Sequence, residues 1–458
     1  MKNRSIAVVS VVASLLMFTS ACTESTKPTG TGSTSTRPNS VPTVSSTPGS
    51  AANEAAVNKW ALAYTGGTAG AAHGTPITIG YANQEDVFPE ATIGIDAGVK
   101  YANAELGGIG GHPIRLSTCK ITVEEDGQKC GTQFANDSNV SVVMTGTLLV
   151  GGKGLYGALA GKKPIVIGNG LTTDDFTTKA GYSLFAGAPA VAAGMAYYVA
   201  TLVQPKPKKV AVMYGDNASA QAAFSLLLKP VLDKAGIQVT GIQVKDPGGT
   251  AAEVQTAIQN SGADTADVFI TLVTQPECIA TYDSLKQLGI TPTVVTTGLC
   301  FGTPMTDHIK DAGETGTMPN GWYFGDYGDN YYAPDLASGM LTYVTKVQQY
   351  GVKAPGARTL EYTGFGGPLF SNLLTVVKLV NGIGADHMTP EAMLAAIKAF
   401  KGPMMLQVGP IDCGHVKIVG TVFDAMCASQ MGIRQYKDGK WISIADALNG
   451  KPIDASKA

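Results

Sequence analysis

The residues with something to offer chemically stand directly after short apolar, β-branched runs. They are Tyr81, Asn83, Gln84 and Glu85; Thr145, Gly146 and Thr147; then Asn169 and Thr172. Further along come Asp216 and Asn217, Thr274 and Gln275, Gly298 to Phe301, and Asp326 and Tyr327. Amides, hydroxyls, aromatics and a few carboxylates hold a small ligand by hydrogen bonds and one or two charges. In open α/β sheets ligands bind outside the carboxyl ends of the strands, where loops meet helix N-termini and backbone N–H groups suit a carboxylate. The candidate binding residues are therefore Tyr81, Glu85, Thr147, Asn169, Thr172, Asp216, Thr274, Gln275 and Phe301, with the Thr147 hydroxyl as an extra donor. For any one of them, loop solvation or helix capping is the commoner role.

Covalent chemistry finds little support. Gly152-Lys153-Gly154-Leu155-Tyr156-Gly157 fits a dinucleotide-binding GxGxxG. It follows the third strand pattern instead of the first, and the acid wanted about 20 residues on is missing. Glycines that let a helix start pack closely explain it better. There is no HExxH and no GxSxG, and His73, His112, His308, His387 and His415 do not cluster. Glu124-Glu125 and Asp174-Asp175 are adjacent in sequence, so they read as solvated loop charges. No cofactor and no metal is expected. A net charge of −2 with only 15% charged residues offers no basic field for nucleic acid.

The elements that position the candidates alternate between strand and helix. Ile77 to Tyr81 is a strand, Ala91 to Leu106 a helix with Gly107 past its end, and Pro113 to Cys119 a second strand. This βαβ unit implies parallel strands. Gly127–Asn136, Ser141–Met144, Lys153–Ala160 and Pro164–Ile167 continue the alternation to about Ala188. A helix from Ala190 to Val203 precedes a second series: Lys208–Tyr214, Ala218–Ala235, Gln238–Val244, Ala251–Ser261, Ala266–Val273, Cys278–Leu288 and Pro292–Thr297. The two tandem halves form a loose repeat of two Rossmann-like lobes, and the ligand site falls in the cleft between their facing loops. Leu336–Tyr350 and Gly364–Val380 read as helices, and Val416–Phe423 and Arg434–Ile442 as β structure with a Lys-Asp-Gly-Lys hairpin turn.

Asn103-Ala104-Glu105-Leu106-Gly107-Gly108-Ile109-Gly110-Gly111-His112-Pro113-Ile114, with the strand, Gly80, polar loop and helix before it, resembles the type I periplasmic binding proteins of ABC importers. The branched-chain amino acid and amide binders are the nearest subgroup, over about Thr75 to the C-terminus. The resemblance implies hinge closure around a small polar or amphipathic solute (an amino acid, an amide or a related organic acid), delivery to permease subunits, and a monomer. It also implies a multi-strand hinge: lobe one from 75–188 and 323–400, lobe two from 189–322 and 401–450. Thr147 matches the family's carboxylate-binding hydroxyl. Asn169-Gly170-Leu171 departs from the expected Ala-Thr-like segment, Thr274 replaces an aromatic, and Thr297-Gly298-Leu299 lacks the acid that holds the ligand ammonium. Either Glu85, Asp216 or Asp326 substitutes, or the ligand is not a standard α-amino acid. A sensor that presents the loaded cleft to a signalling partner would use the same fold.

The N-terminus supplies the compartment. Lys2 and Arg4, an apolar run from Ile6 to Phe18 and Thr19-Ser20-Ala21-Cys22 form a signal peptide over 1–22, with a lipobox-like end that makes Cys22 the lipidation site. Thr19 stands where leucine is usual. Residues 23–58, rich in Thr, Ser and Pro, are expected as a disordered tether, although 54–64 can form a short helix with Val57, Trp60 and Leu62 inward. The protein is then extracytoplasmic, lipid-anchored on the outer face of a bacterial cell membrane. The six remaining cysteines allow 15 connectivities. Proximity favours Cys119–Cys130, Cys278–Cys300 and Cys413–Cys427.

Overall fold

The computed structural model describes residues 51–458 except 328–337, 355–356, 358, 408 and 447–448. Cys22 and the first part of the expected tether lie outside the described residues. The remaining part is not tether: Ala51–Thr65 is one helix, with Val57, Ala61 and Tyr64 buried against the body.

The first sheet is wholly parallel. Strands β1 (Ile77–Asn83), β2 (Ile114–Lys120), β3 (Val140–Thr145), β4 (Ile165–Ile167) and β5 (Gly181–Ser183) lie in the order β2-β1-β3-β4-β5. The second sheet repeats that plan with β6 (Lys209–Gly215), β7 (Gln238–Val244), β8 (Val268–Leu272), β9 (Thr293–Thr297) and β10 (Tyr323–Asp326), ordered β7-β6-β8-β9-β10. Tyr323–Asp326 was expected to lead back into lobe one. It is instead the fifth parallel strand of the second sheet, paired with β9 on one side.

A separate hairpin, β11 (Val416–Ile418) with β12 (Thr421–Phe423), precedes three more strands of the second sheet. β13 (Gln430–Lys437) pairs antiparallel with β10, and β14 (Lys440–Ala445) and β15 (Ile453–Asp454) pair with β13. The β13–β14 turn is Asp438-Gly439, with φ of 51° and 75°, the double positive φ that a two-residue hairpin requires.

Helices cover the first sheet. Pro89–Glu105 packs against Gly366–Ile383 so closely that a Cβ on Gly94 would lie 1.9 Å from the Gly366 carbonyl oxygen. Glu124–Asn136 meets Gly152–Leu159 in the same way: a Cβ on Gly127 would lie 1.8 Å from the Gly151 carbonyl oxygen. Within the GxGxxG-like stretch Gly154 shares in that packing, since a Cβ there would lie 2.9 Å from the Gln128 backbone nitrogen, while a Cβ on Gly157 would meet nothing within 4 Å. The short helices Thr303–Asp311 and Pro390–Ala399 have no counterpart in the sequence reading. Among the described residues no helix is long and apolar enough to cross a membrane.

Three disulfides join Cys119 to Cys130, Cys278 to Cys300 and Cys413 to Cys427, the pairing expected from proximity.

Among the described residues the chain changes sheets three times: after β5, after β10, and after a stretch near Met426 that pairs beside Ser183. The first two passages pack together at Phe185 and Tyr327, with ring centroids 5.4 Å apart. Cys427 donates its N–H to Ser183 at 3.0 Å, which lays the third passage along β5.

Candidate ligand cleft

The carboxyl ends of both parallel sheets converge on one cleft with about 860 Å³ of empty space, its mouth included. Second-lobe residues dominate the polar wall. Asn217 and Ser219 follow β6, Asp246 follows β7, Thr274 follows β8, Thr297 ends β9, and Asp326 and Tyr327 close β10. The first lobe contributes Leu149 after β3, Leu171 after β4, and Phe365 and Pro368 at the start of Gly366–Ile383. Val191 and Ala192, on Gly187–Thr201, complete an apolar floor.

The lobes touch across this cleft. The Ser219 hydroxyl donates to the Leu171 carbonyl, and the Thr303 N–H donates to Glu361 Oε2 at 3.1 Å. Tyr327 donates its hydroxyl to Asn169 Oδ1 at 2.8 Å, tying the second passage to the end of the first sheet. This is a closed arrangement.

The most unusual chemistry sits on the second lobe's wall. Asp246 is 3% exposed and Glu277 fully buried. The Thr274 hydroxyl donates to Asp246 Oδ1 and lies 2.9 Å from Glu277 Oε2. Thr274 N–H and the Asn217 amide also donate to Asp246. Glu277 Oε1 accepts from the Gly248 and Gly249 N–H groups at 2.8 and 2.9 Å. Burial, and then the neighbouring Glu277 carboxyl, hold Asp246 up at about 7. Two carboxyls this close in a low-dielectric site resist double ionisation.

Of the nine candidates from sequence, Thr274 lines the cleft. The others stand elsewhere, each with a physical reason. Tyr81 is a core residue whose hydroxyl meets Thr92. Glu85 accepts from Asn83 and Thr92. Thr147 is fully buried, accepting from the Asn169 amide at 3.0 Å. Asn169 bridges Thr147 and Tyr327. Thr172 precedes the short helix Thr173–Thr177, and its N–H donates to Asp175 Oδ2. Asp216 is exposed and accepts from Asp246 N–H. Gln275 lies against Gly302, and Phe301 packs on Trp441 with ring centroids 5.1 Å apart. Asp246, two residues past Gln238–Val244, carries the same post-strand signal as Asn217 and Thr274. Phe365 and Pro368 carried no signal, since they enter from the return segment. Among the described residues no group of three or more His, Cys, Asp or Glu is placed to hold a metal ion.

The family model of the periplasmic binding proteins matches residues 75–419. The chain belongs to that family of solute-binding proteins. Its fold is shared with solved structures at low identity. A solute-binding protein of an ABC transporter from R. palustris, in complex with 4-hydroxybenzoate, is 17% identical over 81% of this chain and 95% of that one, with a TM-score of 0.60. An ABC transporter substrate-binding protein from Desulfitobacterium hafniense, in complex with Leu, is 13% identical over 81% and 100%, with a TM-score of 0.59. A substrate-binding protein from Aeropyrum pernix is 15% identical over 84% and 98%, with a TM-score of 0.65. No curated protein matches the sequence. The helix Ala51–Thr65 lies outside the matched span.

Proposed function

We propose that this chain is the extracytoplasmic solute-binding component of an ABC importer, anchored by lipid on Cys22 and acting as a monomer. It captures one small amphipathic solute and presents the closed form to a membrane permease. The observation that carries this reading is the cleft itself, with walls from both lobes at the carboxyl ends of two equivalent parallel sheets. Three passages joining the lobes form the hinge, and contacts such as Ser219 to Leu171 are available in the closed state. A ligand touching both walls adds free energy to that state alone and shifts the population towards it. Binding of this kind needs no covalent step.

Native mass spectrometry of the full-length chain in detergent, followed by denaturation, tests the reading. One co-purified small molecule per chain is expected, and small-angle scattering should show expansion after its removal. An empty protein whose melting ignores amino acids, amides, organic acids and amines would refute it. For the anchor, Cys22→Ala should move the protein from the membrane to the soluble fraction; unchanged partition would remove Cys22 from that role.

A further inference from the structure

We propose that the solute is an amine, or another hydrogen-bonding cation, on an apolar body without a carboxylate, and that Asp246 and Asp326 hold its charged end. This rests on the solute-binding reading and narrows it.

The argument starts with the loops that would receive a carboxylate. After β3, the Gly146 N–H donates to Ala82 O at 2.7 Å, Thr147 N–H to Asn83 Oδ1 at 3.0 Å and Leu149 N–H to Gln84 Oε1 at 2.9 Å. After β4, Gly168 N–H donates to Thr145 Oγ1 and Asn169 N–H to Gly146 O, both at 3.1 Å. Leu171 and Thr172 both donate to Asp175 Oδ2 at 2.8 Å. Asp175 is buried and further fixed by the Tyr156 hydroxyl. These donors are spent within the protein. A ligand carboxylate taking one of them would strand a buried acceptor, at a cost comparable with the bond it made.

What the first lobe does present is Leu149, Leu171, Phe365 and Pro368, a wall for an apolar body. Opposite stand Asp246 and Asp326, with the buried Glu277 directly behind Asp246. No lysine, arginine or histidine lines the cleft among the described residues. In a closed, low-dielectric space a second anion beside these carboxyls is repelled, while a cation is attracted. Asp246 is held near neutrality by burial and by Glu277, so an arriving cation meets a carboxyl ready to ionise. Thr274, Thr297 and Ser219 add hydroxyl oxygens that accept from an ammonium as readily as from an amide.

The test is titration calorimetry on the full-length chain in detergent with two matched series. One is isopentylamine, 4-methylpentanoate and leucine; the other is 2-phenylethylamine, 3-phenylpropionate and phenylalanine. Expected are amines binding at least tenfold more tightly than their carboxylate and amino acid counterparts. Asp326→Asn and Asp246→Asn should each lower amine affinity about tenfold. Tighter binding of a carboxylate or amino acid overturns the inference and leaves the solute-binding reading standing. So does amine affinity that survives both substitutions. Failure of all six compounds counts against both. If either variant misfolds, the ranking on the unaltered chain decides the matter.

Discussion

Replacing Lys346 by methionine probes how the N-terminal helix is held. Lys346 is fully buried, yet its ammonium reaches Glu54 on that helix at 2.5 Å and both oxygens of Glu105 at 2.9 Å. It also lies 4.7 Å from the centre of the Tyr101 ring. Asn58 of the same helix donates to Glu105 at 2.6 Å and accepts from Tyr101 at 2.8 Å. Removing one partner of a buried pair typically costs about 3–5 kcal/mol. Here the full value does not apply. Glu54 keeps 34% side-chain exposure and returns to water, and Glu105 retains donors from Tyr350 and Asn58. Methionine also refills most of the volume, so roughly 2–3 kcal/mol is expected. At the ~2–4 °C per kcal/mol of domains of 150–250 residues, melting should fall by about 5–10 °C. Hydrogen exchange should report the loss first at Val57 to Tyr64. Glu54→Gln should do less, because its partner keeps Glu105. Unchanged melting together with unchanged exchange of the helix would refute the claim that this network docks it.

Three further perturbations follow from the cleft. Asp246 binds its proton up to about pH 7 in the folded chain and to about 4 when unfolded, so the native state holds more protons between these values. Its contribution is therefore complete at low pH and lost as pH rises through 7; chemical unfolding should show stability falling over that window, and Asp246→Asn should flatten the fall. A slope that persists in the variant would locate the titration elsewhere. Ser219→Ala removes a lobe-to-lobe hydrogen bond, which at about 1 kcal/mol should weaken ligand binding roughly fivefold and expand the liganded form in scattering; unchanged affinity would mean the contact adds nothing to closure. Thr147→Ala strands the Asn169 amide in a buried site, so it should cost about 1–3 kcal/mol in urea unfolding, while a loss of affinity without loss of stability would return Thr147 to the ligand.

The fold was legible because it is periodic. β-branched runs at Ile77–Tyr81 and Lys208–Tyr214, each followed by a polar loop and an apolar-striped helix, can be read without partners. Tyr323–Asp326 could not. Four residues carry no period, and its membership of the second sheet is decided by pairing with Val295–Thr297 and with Gly432–Gln435, more than a hundred residues apart from each other. The docking of Ala51–Thr65 was hidden for a similar reason: its partners Thr375, Met405 and Lys346 are about 300 residues away.

The cleft shows a different limit. The post-strand rule selects loops, and Asn217, Thr274, Gly298, Leu299, Asp326 and Tyr327 from those loops line the cleft. It fails to say whether a polar group faces the solute or its own chain. Thr147 and Asn169 have the types and positions of ligand contacts, but each is the other's partner and Tyr327 completes the set. Asp175 likewise takes the N–H groups of Leu171 and Thr172 that a ligand carboxylate would want. Whether a donor is free depends on acceptors folded in from elsewhere, such as Asn83 and Gln84 reaching across to the loop after β3. In this chain such acceptors take the donors on the first lobe, and the carboxylates that line the cleft, Asp246 and Asp326, stand on the second.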